Sequence, residues 1–193
     1  AEGACVIVND INVEAAESVV EQIQAAGGKA IVDSHDITNW EESGNIIKSC
    51  IELFGDVHAV VNNAGIVRDR MFTSMSEQEW DAVIRVHLKG HFCVTNHVAR
   101  YWREQFKAGK EVSGRIINTS SAAGLQGSIA QSNYAAAKGG IATLTLVQAS
   151  EMSRYGVTAN TIAPQARTGM TENLFAEMMK KPDVGFDRYD PAN

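Results

Sequence analysis

The sequence predicts a single α/β domain built on a parallel, doubly wound sheet. Short β-branched apolar runs alternate with longer segments of helical periodicity along the chain. Each helical segment is long enough for the crossover of about a dozen residues that parallel strands require. The length of 193 residues fits one domain with a single sizeable core, so we treat 1–193 as one unit.

The first half of the chain is predicted to hold three buried strands and two helices. The first strand ends at Asn9 and Asp10, the pair Gly27–Gly28 ends the first helix, and Asn39 with Glu42 has the spacing of a capping box for the second. In order, these elements are a strand at 5–8, a helix at 13–26, a strand at 29–32, a helix from Asn39 to near Gly55, and a strand at 57–61.

The second half continues the same alternation. Ser76 and Glu79 form another plausible capping box, and Pro164 halts the last strand. The predicted elements are a helical stretch from Ser76 to about Lys107 with a break near Gly90, a strand at 115–118, a helix at 133–155, and a strand at 157–162.

Composition and charge exclude several classes of function. The formal net charge of −6 disfavours non-specific binding to nucleic acid. No apolar run approaches ~18 residues, so no membrane span is expected, and the first ten residues lack the basic start of a signal peptide. The three cysteines are far apart and odd in number, which favours buried thiols in a reducing cytoplasm.

The sequence gives no sign of a metal site. His87 and His91 have helical i, i+4 spacing, which is compatible with zinc. The zinc helices with this spacing carry a Glu directly after the first His, whereas Leu88 stands there in this chain. No Cys-x-x-Cys spacing is present either, so we expect no metal.

Three features carry possible chemistry. Tyr134 and Lys138 are one helical turn apart, so an ammonium can lower the phenol pKa from its ordinary value near 10 and make a general acid/base. Ser121 follows a strand, and residues 62–65 (Asn-Asn-Ala-Gly) follow another. In doubly wound sheets ligands bind beyond the carboxyl ends of strands. Taken singly, each feature is also explained as a surface pair, a helix cap or a turn.

Together these motifs resemble the short-chain dehydrogenase/reductase family over essentially the whole chain. The combination of Asn-Asn-Ala-Gly, a strand ending in Ser, and Tyr-x-x-x-Lys is highly specific. The resemblance implies a Rossmann-like fold in which Tyr134 exchanges a proton with the substrate oxygen and Ser121 orients that oxygen. Lys138 would hold the nicotinamide ribose and lower the Tyr134 pKa. Ser120 is the competing serine, but the family spacing to Tyr134 selects Ser121.

The resemblance also implies a nicotinamide dinucleotide cofactor. Asp10 follows the strand that reaches the adenosine ribose, where a carboxylate accepts hydrogen bonds from the 2′-OH and repels a 2′-phosphate. This favours NAD over NADP. Asp10 could equally cap the following helix, and the two roles are compatible. The other residues expected to line the cofactor are Asp36, Ile37, Asn62, Ala64, Gly65, Tyr134, Lys138 and Pro164.

One catalytic position departs from the family pattern. The fourth catalytic residue is usually an Asn, and His87 occupies that position. An imidazole can also bind a water or a backbone group, so a proton relay can survive the replacement. Residues 68–71, 85–88 and 160–164 resemble the (3R)-hydroxyacyl-CoA dehydrogenase part of peroxisomal multifunctional enzymes and related actinobacterial reductases. That branch also lacks the Gly that usually follows the position of Pro164.

A second departure concerns segments that the family has and this sequence lacks. Members open with a strand and a Thr-Gly-x-x-x-Gly-x-Gly loop that cradles the pyrophosphate at a helix N-terminus. Neither is present, and the last helix and strand of the family are missing as well. We therefore expect the domain to be truncated at both ends. The strands ending at Asp10 and Asn62 should face a gap where the first strand would lie.

The leading prediction is an NAD-dependent oxidoreductase that acts on a secondary alcohol or ketone. By branch resemblance its small-molecule substrate is a 3-hydroxyacyl-CoA or 3-oxoacyl thioester. The alternatives are a catalytically idle NAD-binding sensor or scaffold, a steroid reductase, and a reductase of acyl-carrier-protein substrates with Arg68 and Arg70 as a docking patch. The family commonly forms homodimers or homotetramers through helices that correspond to 76–107 and 133–155.

Overall fold

The computed structural model describes residues 2–165, 181, 186–187 and 189–190, in which strands and helices alternate as predicted. The strands are β1 (Cys5–Asn9), β2 (Lys29–Asp33), β3 (Ala59–Asn62), β4 (Gly114–Thr119) and β5 (Val157–Ile162). The helices are α1 (Val13–Ala25), α2 (Trp40–Phe54), α3 (Glu77–Ile84), α4 (Gly90–Lys107), α5 (Ala122–Gln126) and α6 (Ser132–Met152). Short 3-10 turns lie at Phe72–Ser74 and Ser153–Tyr155. The α/β class is confirmed, and α5 is an element that the sequence did not indicate.

The strands form two parallel groups, β2-β1 and β3-β4-β5. Among the described residues β1 and β3 do not pair, and a cleft of about 770 Å³ separates them. The gap predicted between these two strands is therefore present. That a further strand of the complete protein lies in it stays a prediction.

The main core lies where α2 and α4 pack against the sheet. Trp102 is 2% exposed, and its indole N–H donates to the Val57 carbonyl at 2.6 Å, so a large ring is buried without losing its hydrogen bond. The other buried members are Ile46, Ile47, Val60, Val94, Val98, Ile116 and Val157. This packing holds the carboxyl ends of the strands in fixed positions. Within the described ranges, no helix has the length and apolarity needed to cross a bilayer.

The helix starts show which capping predictions were right. Ser76 and Glu79 form the predicted reciprocal capping box. Asn39 caps α2 as predicted, but its partner differs. Glu42 accepts the backbone N–H of Asp36 at 2.7 Å instead of the N–H of the cap residue. The predicted box is therefore only half formed, and Glu42 ties the loop after β2 to the helix.

The helical stretch after Ser76 does not break at Gly90. A π-helical turn, Arg85–Lys89, joins α3 to α4, and Gly90 keeps helical dihedrals. A Cβ at Gly90 would lie 2.6 Å from Ile37 Cδ1. The glycine thus makes room for a neighbouring side chain rather than ending a helix. Such π turns occur frequently at functional sites, and this one carries His87.

Candidate active site

The predicted site residues lie at the carboxyl ends of the strands. This is the edge at which doubly wound sheets bind ligands. Asp10 follows β1, Asp36 and Ile37 follow β2, Asn62 to Gly65 end β3, Ser121 follows β4, and Pro164 follows β5.

The two adjacent serines after β4 have different partners. Ser120 is 2% exposed, and its hydroxyl donates to the Lys138 carbonyl at 2.8 Å. Ser121 caps α5 by accepting the Ala123 N–H at 3.2 Å, and its hydroxyl lies beside the Tyr134 phenol. The choice of Ser121 over Ser120 as the catalytic serine stays a prediction.

Lys138 is held beneath the tyrosine. Its side chain is buried, and Nζ donates to the Thr119 carbonyl at 2.6 Å. The ammonium lies 5.6 Å from the centroid of the Tyr134 ring. Burial lowers the pKa of Lys138 to about 8. Because one N–H is used on Thr119, two remain for a ligand.

The pKa of Tyr134 is not lowered, in contrast to the expectation. Burial of the phenol raises its pKa above the ordinary value, and the neighbouring Ser121 hydroxyl offsets this only in part. The negative charge of Asp69 raises it further. Lys138 directs its proton at a carbonyl and lies under the ring, so it does not compensate. In this arrangement the phenol is protonated near neutral pH, so it has a proton to donate.

His87 packs edge-on against Tyr134, with ring centroids 5.2 Å apart and planes at 89°. Its Nε2 lies 2.7 Å from the Ile66 carbonyl oxygen and 3.1 Å from the Ile66 nitrogen, so one tautomer donates and the other accepts. Burial lowers the pKa of His87 to about 4, which keeps the ring neutral. Nδ1 is buried and has no hydrogen-bond partner among the described residues. The predicted bond to a backbone group is therefore present.

Gly65 has a packing reason that the sequence did not reveal. A Cβ at this position would overlap the imidazole of His87. The sequence analysis explained Gly65 by close approach of a ligand to the backbone. The structure adds that His87 occupies the space beside it.

The Asn62 side chain is buried, whereas Asn63 is exposed at the cleft between β1 and β3. The Asn62 amide donates to Thr95 Oγ1 and Asn118 Oδ1, both at 2.8 Å. The Asn63 carbonyl oxygen accepts the Thr119 hydroxyl at 3.0 Å. Sequence reasoning missed Thr95, Asn118 and Thr119 because their partners lie far away along the chain. At this turn the backbone and the exposed Asn63 side chain remain available to line a ligand.

Asp10 is exposed at the edge of the cleft between β1 and β3. One carboxylate oxygen accepts the Asn12 N–H at 2.8 Å. The cap of α1 is Asn12, which accepts the Ala15 N–H, so the alternative of Asp10 as the helix cap is wrong. An exposed carboxylate here can accept hydrogen bonds from the hydroxyls of a ribose.

The loop after β2 is tied to the π turn. The Asp36 carboxylate accepts the Thr38 N–H at 2.8 Å and pairs with Arg85 at 3.3 Å. Burial raises the pKa of Asp36, but its bonds with Thr38 and the charge of Arg85 outweigh this and hold the pKa below its ordinary value. Ile37 lies against Gly90, and Pro164 is exposed beyond β5. Together these residues could line a dinucleotide that crosses the strand ends.

His91 is the other buried histidine of this region. It is 1% exposed, and neither ring nitrogen has a hydrogen-bond partner in the described part of the chain. Burial lowers the pKa of His91 to about 3, so it is neutral. The described residues contain no group of three or more His, Cys, Asp or Glu side chains placed to hold a metal ion.

Known proteins share this sequence and fold. The family model described as short chain dehydrogenase matches residues 1–179. Hydroxyacyl-CoA dehydrogenase ChsB1 of Mycobacterium tuberculosis is 48% identical over 99% of this chain and 61% of its own length. Peroxisomal multifunctional enzyme type 2 of Mus musculus is 40% identical over 91% of this chain and 24% of its own. The 3-oxoacyl-[acyl-carrier-protein] reductase of Synechocystis is 42% identical over 84% of this chain and 64% of its own length.

A solved structure gives the same picture. The crystal structure of a short chain dehydrogenase from Mycobacterium avium superposes with a TM-score of 0.84 at 58% identity, covering 88% of this chain and 62% of that one. The chain thus spans about three-fifths of the solved chain and of the first mycobacterial relative. The resemblance to the multifunctional-enzyme branch and its actinobacterial relatives is confirmed. The chain belongs to the short-chain dehydrogenase/reductase family, whose members bind NAD(H) or NADP(H).

Proposed function

We propose that the complete protein is an oxidoreductase that interconverts a secondary alcohol and a ketone with NAD(H). The observation that carries the proposal is the arrangement of Ser121, Tyr134 and Lys138. The Ser121 hydroxyl lies beside the Tyr134 phenol, and the buried Lys138 ammonium lies beneath the Tyr134 ring. A substrate oxygen bound between Ser121 and Tyr134 would contact two hydroxyl donors at once.

The residues divide the proton chemistry between them. In reduction, Tyr134 gives its proton to the substrate oxygen while Ser121 stabilises the charge that develops there. A bound nicotinamide supplies or accepts the hydride. In oxidation the phenolate form of Tyr134 takes the hydroxyl proton. Because burial raises the pKa of Tyr134, the protonated donor is favoured near neutral pH, and oxidation gains as the pH rises.

NAD rather than NADP is the proposed cofactor. The support is the exposed carboxylate of Asp10 after β1, which would bind ribose hydroxyls and repel a 2′-phosphate. Ala64 and Gly65 would let the nicotinamide half approach the backbone. Lys138 has two N–H donors left for the second ribose.

A 3-hydroxyacyl-CoA or 3-oxoacyl thioester is the proposed substrate. The mycobacterial relative named a hydroxyacyl-CoA dehydrogenase supports this class. The reductase from Synechocystis makes an acyl-carrier-protein substrate the alternative. Arg68 and Arg70 are the expected docking residues for that carrier. Arg70 is paired with Glu79 at 2.9 Å, so only part of this charge is available.

The proposed assembly is a homodimer or homotetramer formed through α4 and α6. A groove of about 690 Å³ runs between these helices and is lined by Phe92 and Val147. Both side chains are exposed, at 44% and 46%, and a second copy would cover them. Only Cys93 is buried, so the prediction of buried thiols is wrong for the exposed Cys5 and the half-buried Cys50. All three thiols are free, which supports the expected reducing cytoplasm.

The test is turnover by the complete protein. Purified protein is mixed with NAD⁺ and 3-hydroxybutyryl-CoA, a longer-chain 3-hydroxyacyl-CoA, or a hydroxysteroid, and NADH is followed by its absorbance. Acyl-carrier substrates are tested in the reductive direction. The proposal predicts turnover with at least one thioester. Tight NADH binding with turnover of none of them would instead favour the idle sensor, which the fold alone does not exclude.

A further inference from the structure

The side chain of Asn118 lies at the centre of a buried hydrogen-bond chain. It is 0% exposed and sits on β4, between the two neighbouring strands. Its carbonyl oxygen accepts from the Asn62 amide at 2.8 Å. Its own amide donates to Thr145 Oγ1 at 2.9 Å and to Gln148 Oε1 at 2.8 Å. The hydrogen-bonding groups of this side chain are thus directed at two different elements, β3 and α6.

The chain continues in both directions. On one side the Asn62 amide also donates to Thr95 of α4. On the other side the Thr145 hydroxyl donates to the Ile141 carbonyl within α6. Four elements, α4, β3, β4 and α6, are therefore joined through side chains. A buried amide that loses its partners is costly, so this chain favours one relative placement of the four.

The chain joins the parts of the proposed site. Asn62 begins the turn at the end of β3 that would line the cofactor. Asn118 lies on β4, three residues before Ser121, which follows the strand. Helix α6 carries Tyr134 and Lys138. The next pair along the strands, Asn63 and Thr119, repeats the link, and the Thr119 carbonyl binds Lys138.

We propose that Asn118 is a positioning residue for hydride transfer. Its amide aligns the turn at the end of β3 with Ser121 and Lys138 without touching substrate or cofactor. The inference rests on the proposed oxidoreductase function. A residue that merely stabilises the fold would change the free energy of unfolding, whereas a positioning residue also changes the alignment of the reacting groups.

The chain offers matched variants. In Asn118→Leu the acceptor for Asn62 is lost at similar volume. Asn118→Thr tests the same loss with a strand-forming residue whose shorter hydroxyl cannot bridge to Asn62. In Asn118→Asp the protonated acid keeps the acceptor and one donor. Val157→Ala removes buried apolar volume at the start of β5 and leaves every hydrogen bond of this chain in place, so it is the control for stability.

The complete protein is assayed with a substrate deuterated at the carbinol carbon. For Asn118→Leu and Asn118→Thr we expect kcat to fall about 10- to 100-fold, as for small misplacements of reacting groups, with a larger deuterium isotope effect and weaker NADH binding. Asn118→Asp should recover most of kcat. Val157→Ala should lower the urea midpoint but keep kcat and the isotope effect of the wild type.

Wild-type kcat, isotope effect and NADH Kd in folded Asn118→Thr would overturn the proposal, and this holds whether or not Asn118→Leu folds. Loss of kcat in Val157→Ala as large as in Asn118→Thr would overturn it too, since stability alone would then explain both. A wild type that binds NADH but turns over no substrate refutes the proposed function. The NADH Kd of the variants then decides the role of Asn118 separately.

Discussion

Ser120 and Ser121 are neighbours on the chain, yet their hydroxyls serve different partners. The Ser120 hydroxyl donates to the Lys138 carbonyl at 2.8 Å, and the Ser121 hydroxyl lies beside the Tyr134 phenol. The first bond fixes the backbone of α6 against the end of β4. The second places a hydroxyl beside the proposed proton donor. Ser120 therefore holds the site together, and we propose that Ser121 takes part in its chemistry.

This division predicts opposite effects for two alanine substitutions. Ser121→Ala should lower kcat on the order of 10²-fold, because a donor to the developing charge is lost, and leave the urea midpoint nearly unchanged. Ser120→Ala should cost about 1 kcal/mol of stability and keep kcat within a few-fold. Steady-state kinetics and urea unfolding of both variants check this. Equal kinetic losses would show that the serines are not divided in this way.

Gly65 and His87 are predicted to be coupled. Gly65→Ala would drive a methyl group into the imidazole, and we expect a loss of about 1–3 kcal/mol from overpacking. His87→Asn shortens the opposing side chain, so the double variant should recover much of that loss. A double-mutant cycle of unfolding free energies measures the coupling. Additive effects would mean that the two residues do not compete for the same space.

Because His87 and His91 are buried, we predict that the protein loses stability at mildly acidic pH, above the pH range in which carboxylates titrate. Burial lowers the pKa of His87 to about 4 and that of His91 to about 3, from an ordinary value of 6.5. Below about pH 6.5 the unfolded chain binds more protons at these histidines than the folded chain does. The free energy of unfolding therefore falls as the pH drops from 6.5 towards the folded-state pKa values. At about pH 5 the loss is roughly 2 kcal/mol for each histidine.

Urea midpoints between about pH 7 and pH 5 measure this loss. His91→Gln should flatten the pH dependence, since one titrating group is removed. His58→Gln is the matched control, because the His58 side chain is 77% exposed. If both substitutions flatten the curve equally, burial of His91 does not cause the acid sensitivity.

Asp10 is predicted to set the choice of cofactor. Asp10→Asn keeps an oxygen for the Asn12 N–H but removes the charge, so the loop should hold its shape. We expect the ratio of kcat/KM for NAD over NADP to fall about tenfold or more, which corresponds to about 1.4 kcal/mol. The ratio is measured in the complete protein with both cofactors. An unchanged ratio would place the selectivity elsewhere.

Local patterns predicted most of the fold. The spacing of Ser76 and Glu79 specifies a capping box, and β-branched runs specify the strands, because these signals depend on neighbours within a few residues. The same spacing logic selected Ser121 over Ser120. The predicted gap between β1 and β3 followed from strand order in the family.

What the sequence could not predict depends on distant contacts. Gly90 looked like a helix break, but Ile37 from another element occupies the space beside it. Asn118 looked like an ordinary strand residue, because its partners on β3 and α6 are 27 or more positions away. The pKa of Tyr134 was expected to fall because Lys138 is one turn away. Burial raises it instead, and burial cannot be read from spacing.

We propose that Tyr134 donates and accepts the proton in a hydride-transfer site. The most direct measurement is kcat for Tyr134→Phe in the complete protein, with 3-hydroxyacyl-CoA and NAD⁺, beside NADH binding by fluorescence. We predict that kcat falls about 10³-fold, the range that general acid–base catalysis supplies, while NADH binding changes little. Turnover close to that of the wild type would show that Tyr134 does not transfer the proton.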